Sequence, residues 1–460
     1  MTKQGDLVEI EITDLSSSGD GVGRIEGWVV FVPDTVPGDL ALVRLINFKK
    51  QYADGKLEQL IEASPHRIRP RCIVADKCGG CQWQHINPEY QRTAKSLMVT
   101  QTLQRIGGFC DPPVAPILGE GNRPELKPLE YRNKASYPLG ISAQGTVKAG
   151  YYRRQTHHIV NLNQCPVQDP RLNPFLAKIK ADIAERKWTI YQEKHHQGQL
   201  RHLSLRIGRR TGEILLTLVT TDVHLKGIEE QAQIWLKRYP GLVGVCLNYN
   251  PSKTNVIFGE QTQTVAGRPY LREIFAELEF ELRPETFFQV NTEAAEALID
   301  VIFDKLELQG TETLVDAYCG IGTFTLPLAR RVKQAFGIEL HSSSIIQAQK
   351  NAQINGLSNV SFMTGAVETL LPLVDMTPDL VLLDPPRKGC PPTVIDTLLK
   401  LKPPRIVYIS CQVGTLARDL KQLCDKGSYH LTFVQPADFF PQTSHVECAA
   451  FLSQESLNMI

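Results

Sequence analysis

Arg405-Ile-Val-Tyr-Ile-Ser-Cys411 follows Pro403-Pro404 and runs through β-branched and aromatic residues to a thiol. It is too short for a helix and almost wholly apolar, the pattern of a strand buried on both faces of a parallel sheet. Ligands of open α/β sheets bind off the carboxyl ends of such strands, and Cys411 stands at that end. Taken alone, the stretch fits a buried core cysteine better than a catalytic one, because free Cys is among the most buried residue types.

The segments upstream supply the sheet. From Pro284 on, strand and helix patterns alternate. A helix is expected from Asn291 to Leu306, with Asn291 or Thr292 as its cap. Thr313-Leu-Val-Asp316 reads as a strand, followed by the glycine turn Tyr318-Cys-Gly-Ile-Gly322 and a helix from Thr323 to about Arg331. Ala335 to Glu339 and Val360 to Met363 are the next strands, with a helix from Ser342 to Asn355 between them. Leu380-Val-Leu-Leu-Asp384 is the fourth strand and Ile406 to Ser410 the fifth, which predicts an α/β, doubly wound, Rossmann-like sheet.

The glycine turn lets the backbone approach a ligand, and Glu339 ends the next strand at the distance expected for a ribose-hydroxyl partner. Thr325 stands where a dinucleotide site has its third glycine, which favours a ligand without phosphates, such as S-adenosylmethionine, over NAD. Asp384-Pro-Pro-Arg-Lys-Gly389 ends the fourth strand at the same crevice, where a carboxylate on a rigid turn can position cofactor or target.

The 460 residues allow two or three domains. Apolar content of 42% and charged content of 22% are those of a globular protein. No apolar run approaches the roughly 18 residues of a membrane span and the N-terminus has no signal-peptide core, so a cytoplasmic location is expected. With a net charge of +1, nucleic-acid binding has to come from local patches.

Residues 7 to about 62 alternate with period two between the turns at Gly19–Gly23 and Pro37-Gly38, as in a small OB-like barrel. Arg24, Arg44, Lys49, Lys50, Lys56 and Phe48 are candidates for an RNA-facing surface of it, or for a merely solvated one. After the linker Pro65–Pro70, Cys72, Cys78 and Cys81 are spaced C-x5-C-x2-C, with Cys165 some eighty residues on. An odd total of eleven cysteines in a large chain argues against a disulfide framework. Three thiols on one loop and one remote approach the three-plus-one pattern of plant-type iron–sulfur ligands; zinc or unligated thiols are the alternatives.

A helix is expected over residues 88 to 106, stopped by Gly107-Gly108. Residues 130 to about 285 read as mixed and β-rich. They carry Tyr131-Arg-Asn-Lys134, Tyr151-Tyr-Arg-Arg154 and the set Arg201, Arg206, Arg209 and Arg210. Aromatics interleaved with cations suit unpaired RNA, though each cluster alone also fits a solvated face.

Together, Phe288-Gln-Val-Asn291, Asp316-Ala-Tyr-Cys-Gly-Ile-Gly-Thr-Phe-Thr325, Leu383-Asp-Pro-Pro-Arg-Lys-Gly389, Ile409-Ser-Cys-Gln-Val-Gly-Thr-Leu-Ala-Arg-Asp419 and His445-Val-Glu447 resemble the RNA uracil-C5 methyltransferase family. Its members make 5-methyluridine in 23S ribosomal RNA and in tRNA. The resemblance covers nearly the whole chain. It implies a TRAM barrel over residues 1–62, a central iron–sulfur and RNA-binding domain over 63–283, and a class I methyltransferase domain over 284–460. It implies S-adenosylmethionine as methyl donor and Cys72, Cys78, Cys81 and Cys165 as ligands of a [4Fe-4S] cluster, with 23S ribosomal RNA favoured over tRNA as partner.

Residue by residue, the resemblance makes Cys411 the nucleophile and Glu447 the general base. Gln289, Tyr318, Glu339 and Asp384 would surround the cofactor, and Phe287 would stack on the extruded uridine or fill its place. These residue types suit the reaction, because uracil C5 is too weak a nucleophile until a thiolate adds at C6. The C5 proton must then leave to a base.

Two rivals use the same fold. An acid-Pro-Pro turn also ends the fourth strand of enzymes that methylate exocyclic amines, but those usually continue with an aromatic, where Arg387 stands here. A non-enzymatic RNA-binding or ribosome-assembly protein would have no use for Cys411 and Glu447 together.

Overall fold

The computed structural model describes residues 2–119, 126–374, 377–427 and 429–454. The N-terminal unit is a closed five-stranded barrel in the order β1-β2-β3-β5-β4, formed by β1 (Leu7–Leu15), β2 (Gly21–Ile25), β3 (Trp28–Val32), β4 (Leu40–Phe48) and β5 (Tyr52–Glu62). The period-two pattern sends Ile10, Ile12, Val30, Val32, Val43 and Leu45 inward to a core of their own. Closure needs a glycine at residue 23: a Cβ there would lie 2.2 Å from the Ile10 side chain and 2.7 Å from the Glu11 carbonyl oxygen.

Helix α1 (Pro88–Thr102) starts on Asn87, whose side chain accepts a hydrogen bond from Glu89 N, and continues as a π turn over Leu103–Gly107 until Gly108 ends it in the left-handed region. The central sheet comprises β6 (Lys134–Ile141), β7 (Val147–Tyr152), β8 (Ile159–Asn161), β9 (Leu200–Ile207), β10 (Ile214–Thr220), β11 (Leu242–Tyr249) and β12 (Gln261–Gly267), in the order β12-β11-β10-β9-β6-β7-β8. Its core includes residues of two helices that the β-rich reading did not separate, α2 (Asn173–Glu185) and α3 (Ile228–Arg238). A hairpin of β13 (Leu271–Phe275) and β14 (Leu278–Leu282) leads into the C-terminal unit.

That unit is the expected doubly wound sheet. Its parallel strands are β15 (Thr313–Ala317), β16 (Gln334–Glu339), β17 (Val360–Thr364), β18 (Leu380–Leu383) and β19 (Arg405–Ser410). Helices α4 (Thr292–Leu306), α5 (Thr325–Ala329), α6 (Ser342–Ile354), α7 (Val367–Leu370), α8 (Pro392–Leu401) and α9 (Val413–Lys426) connect and cover them. Asn291 caps α4 by accepting from Ala294 N at 3.2 Å. The helix expected over Thr323–Arg331 is shorter, because residues 321–324 still belong to the turn.

The closing hairpin, β20 (His430–Ala437) and β21 (Glu447–Ser453), completes the order β17-β16-β15-β18-β19-β21-β20, with β21 antiparallel to β19. Apolar cores lie on both faces of this sheet.

α1 falls by sequence within the domain expected over 63–283, with packing on the catalytic domain expected for it; in the structure Val99 and Leu103 join the core under α9. Fully buried Lys95 donates to Asp438 Oδ1 at 2.6 Å and to Phe440 O at 3.1 Å, pinning the segment between β20 and β21. Removing one partner of a buried pair strands the other charge. Lys95→Ala is therefore expected to lower the thermal midpoint of this unit by roughly 10 °C, and Lys95→Met with Asp438→Leu to recover most of it. A calorimetric shift under about 2 °C for Lys95→Ala would show the pair to be dispensable.

Candidate active site

The chain leaves β15 toward β16 and β17 on one side and returns to β18 and β19 on the other, so the loops after β15 and β18 diverge at a topological switch point. The first loop is held open by left-handed backbone at Tyr318 (φ +85°), Gly320 (+56°) and Gly322 (+87°). Tyr318 N and Cys319 N both donate to Ile338 O, which ties the loop to β16.

Glu339 ends β16 half-buried, its carboxylate accepting from Gly320 N at 3.2 Å and His341 N at 2.9 Å. Asp316 lies buried beneath the turn; Thr325 Oγ1 donates to one of its oxygens at 2.5 Å and the other has no partner. Burial, and then the Glu339 charge, push the Asp316 carboxyl up to about 7. An orphaned carboxylate oxygen and a strand-end acid held by backbone N–H groups fit a cationic ligand bearing a ribose. Asp316 was not singled out from sequence, although its place just before the glycine turn could have marked it.

The second loop begins at Asp384, pushed up to about 7 by burial and then by Asp316. Its backbone is clamped to α9: Thr415 Oγ1 donates to Arg387 O at 3.2 Å and Arg418 Nη2 to Lys388 O at 3.0 Å. Cys411 follows β19 and Glu447 begins β21. Because Ser410 pairs with Cys448 in the antiparallel register, Cys411 and Glu447 each lie one residue beyond that pair, on adjacent strands at the same sheet end.

Burial and then the Glu447 charge raise the Cys411 thiol, while the Arg387 guanidinium opposes the rise through its charge and as a donor. Glu447 is buried and its carboxyl is raised well above the usual range by burial and then by Asp384, again opposed by Arg387. The same guanidinium, after burial, depresses the His445 imidazole. Arg387 is thus a cation that faces the thiol, Glu447 and His445, a role its place after Asp-Pro-Pro did not reveal.

Gln289 is buried in the loop before α4, with its carbonyl accepting from Asn133 Nδ2 at 2.8 Å; Phe287, two residues earlier, is 67% exposed. The loop is strapped to the central sheet. Arg206 donates to Arg283 O and Thr286 O, and Lys134 Nζ donates to Pro284 O.

This alters the reading of the arginine set. Arg206 is buried on carbonyls, Arg209 pairs with Asp169 and Glu293, and Arg210 pairs with Glu293 and Glu296. Those three hold the units together, while Arg201 alone joins Arg132, Lys134, Tyr151 and Tyr152 around one cleft. On the barrel, Arg44 and Lys56 share Glu58, whereas Arg24, Lys49 and Lys50 are exposed.

Cys72, Cys78, Cys81 and Cys165 line one cavity of about 170 Å³. None is in a disulfide. Burial pushes the Cys81 thiol up to about 12 and each of the other three adds to the rise, so the four are mutual neighbours. The loop is fitted closely to the central sheet: Gly79 N donates to Tyr152 O at 2.8 Å, and a Cβ at Gly79 would strike that oxygen at 2.8 Å. Gln82 N and Trp83 N donate to Gln442 O, and Tyr131 Oη to Pro441 O, which joins the cysteine loop to the segment leading into Glu447. Among the described residues, no three His, Cys, Asp or Glu side chains are gathered as a single-ion site.

The strand order, the glycine turn and the strand-end acids define a class I methyltransferase domain beside a small barrel. The tRNA (uracil-5-)-methyltransferase family profile matches residues 131–455 and the TRAM domain profile residues 2–57. Two curated relatives, each described as an uncharacterized RNA methyltransferase, come from Nostoc sp. (66% identical over 98% of this chain and 96% of the relative) and Synechocystis sp. (54% over 98% and 96%). A solved structure, the Pyrococcus abyssi tRNA (uracil-54, C5)-methyltransferase in complex with S-adenosyl-L-homocysteine, superposes with a TM-score of 0.76 at 28% identity, covering 97% of this chain and all of that one.

The chain belongs to the tRNA (uracil-5-)-methyltransferase family: it is an RNA uracil-5-methyltransferase that uses S-adenosylmethionine. Among the described residues no helix is long and apolar enough to cross a membrane.

The position of Arg387 carries a pH prediction. A base must be deprotonated to act, so with Glu447 in the role expected of it activity should be lost as pH falls through its raised pKa. Arg387→Gln removes the charge that restrains both raised groups, so the acid limb of the kcat/KM profile should move to higher pH. Single-turnover rates across pH check this; an unmoved limb would place the guanidinium outside the titration.

Proposed function

We propose that the protein methylates C5 of a uridine in RNA through a covalent bond between Cys411 and C6 of the ring, with Glu447 as the base that ends the reaction. The observation that carries this reading is the gathering of Cys411, Glu447, Asp384 and Arg387 at one end of the sheet, beside the crevice of Glu339 and Asp316. S-adenosylmethionine, when bound, supplies an electrophilic methyl group on a positively charged sulfur. Glu339 would hold its ribose hydroxyls, Tyr318 and Gln289 would line its pocket, and Asp384 would face its charged end.

The Cys411 thiolate, favoured by Arg387, adds its electron pair at C6 and pushes the ring electrons toward C5 and O4, so that C5 becomes nucleophilic. After C5 has gained the methyl group, Glu447 takes the C5 proton, the C5–C6 double bond re-forms and the Cys411–C6 bond breaks with its electrons returning to sulfur. Neither residue is consumed. For the uridine to reach the thiol it must leave its stack; Phe287, exposed on the loop that carries Gln289, is placed to stack on it or fill the gap.

As target we favour 23S ribosomal RNA, because the four-cysteine set resembles that of ribosomal-RNA members. The Pyrococcus abyssi protein, which acts on tRNA, keeps tRNA as the second reading. Labelled S-adenosylmethionine with unmodified 23S rRNA and tRNA transcripts discriminates them. Cys411→Ala is expected to abolish transfer, and Glu447→Gln to slow turnover by roughly 10²–10⁴-fold while the adduct accumulates. With 5-fluorouridine in the RNA, the parent enzyme should form a denaturation-resistant crosslink through Cys411. Active enzyme that forms none would exclude the covalent route.

The four cysteines would hold a [4Fe-4S] cluster. They are mutual neighbours that line one cavity of about 170 Å³, and their three-plus-one spacing approaches that of iron–sulfur ligands. We assign it a structural role, since the chemistry above transfers no electrons. Anaerobically purified protein should be brown, with about four iron and four sulfide per chain, and Cys165→Ser should lose both colour and thermal stability. A colourless chain carrying one zinc would overturn the assignment.

A further inference from the structure

A cleft of about 680 Å³ opens in the central unit. It is lined by Lys134 and Ser136 of β6, Tyr152 of β7 and Arg201 of β9, together with Phe258 and Val290. Val290 belongs to the loop that carries Phe287 and Gln289, so the cleft adjoins the catalytic crevice while its other walls lie in the central unit.

Its charge is one-sided. Among the described residues no carboxylate is ion-paired with Arg132, Lys134 or Arg201, and the one glutamate in the wall, Glu193, is taken up by His157 Nδ1 at 2.7 Å. Arg201 is fixed without being neutralised: Nη1 donates to Asn250 O and Ser252 O, and Nη2 to Thr254 O. Lys134 Nζ makes one bond, to Pro284 O at 3.0 Å, and lies 4.6 Å from the Phe258 ring centroid. Two buried wall nitrogens, Arg201 Nε and His202 Nδ1, have no partner.

Cations without an ion-paired carboxylate in a partly enclosed space call for an anion, and Tyr152 and Phe258 supply aromatic rings in the same lining. Phosphate next to a flat base meets both demands, and only unpaired RNA exposes base faces to aromatic side chains. The volume lies within the roughly 300–1,000 Å³ of small-ligand pockets, wide enough for one nucleotide but not for a duplex.

We infer that this cleft binds one unstacked nucleotide of the RNA substrate, distinct from the methylated uridine, with its phosphate on Lys134 and Arg201 and its base against Tyr152 or Phe258. It is distinct because the methylated ring has to reach Cys411 in the C-terminal sheet. The inference rests on the reading of the protein as an RNA methyltransferase and adds a site that selects the RNA by what flanks the target.

The test uses the whole chain and unmodified tRNA and 23S rRNA transcripts. Tyr152→Leu with Phe258→Leu should weaken RNA binding about 10- to 100-fold. Lys134→Met should reduce the slope of log K against log salt by about 0.7. In the Tyr152→Leu, Phe258→Leu protein, S-adenosylmethionine affinity and kcat at saturating RNA should stay within about twofold of the parent. In the unsubstituted protein, 4-thiouridine transcripts should photo-crosslink to peptides carrying Tyr152 or Phe258, a readout independent of how the variants fold.

Parent-like affinity and salt slope in the variants, or no crosslink to those peptides while methylation proceeds, would overturn the cleft and leave the methyltransferase reading intact. RNA binding that responds to the substitutions without any methyl transfer would keep the cleft and sink that reading. A parent chain that binds neither transcript would sink both.

Discussion

The pairing of β19 with β21 is the constraint on which the candidate site depends. β19 is the last parallel strand and delivers Cys411 at its carboxyl end; β21 runs the other way and begins at that same end with Glu447. Ser410 opposite Cys448 is a register that cannot slip by one residue without turning the buried Ala449, Ala450 and Phe451 to the wrong face. A thiol and a carboxylate from distant parts of the sequence are therefore held together by the core packing of the whole sheet. The pKa directions follow from that enforced closeness: burial and like charge raise both groups, and the Arg387 guanidinium limits the rise.

The remaining units are attached so as to preserve this arrangement. α1 pins the segment between β20 and β21 through Lys95 and Asp438, while the cysteine loop reaches the same segment through Gln82, Trp83 and Gln442. The central sheet holds the loop before α4 through Arg206, Asn133 and Lys134. Buried charge in these joints is matched by carbonyls and carboxylates. In the cationic cleft, among the described residues, Arg132, Lys134 and Arg201 have no ion-paired carboxylate and Glu193 is held by His157, and that contrast leaves their charge to a ligand.

Much of the fold could be read from local pattern, because a strand buried on both faces and a helix stopped by glycine each leave a short-range signature. The alternation in residues 7–62 gave a barrel, and the strand and helix runs after Pro284 gave a doubly wound sheet. The middle third resisted. In β9 and β10 nearly every residue is buried on either face, so neither strand shows the alternation that would locate it, and α2 and α3 carry mixed polar stretches. The candidate site divides in the same way. Cys411, Glu339 and Asp384 are strand-end residues and can be recognised as such, whereas Asp316 and Arg387 matter through neighbours remote in sequence.

By itself, the amino-acid order determined the elements of the barrel and of the doubly wound sheet, which of its strands end on reactive or acidic groups, and that four thiols were available as a set. Tertiary structure alone decided which charges remain uncompensated. Arg201 and Arg206 lie five residues apart on one strand and both donate to carbonyls, yet only Arg201 lines the cationic cleft. The physical reason is that secondary structure follows from periodicity within about a dozen residues, while a side chain's electrostatic role depends on partners brought to it from any distance along the chain.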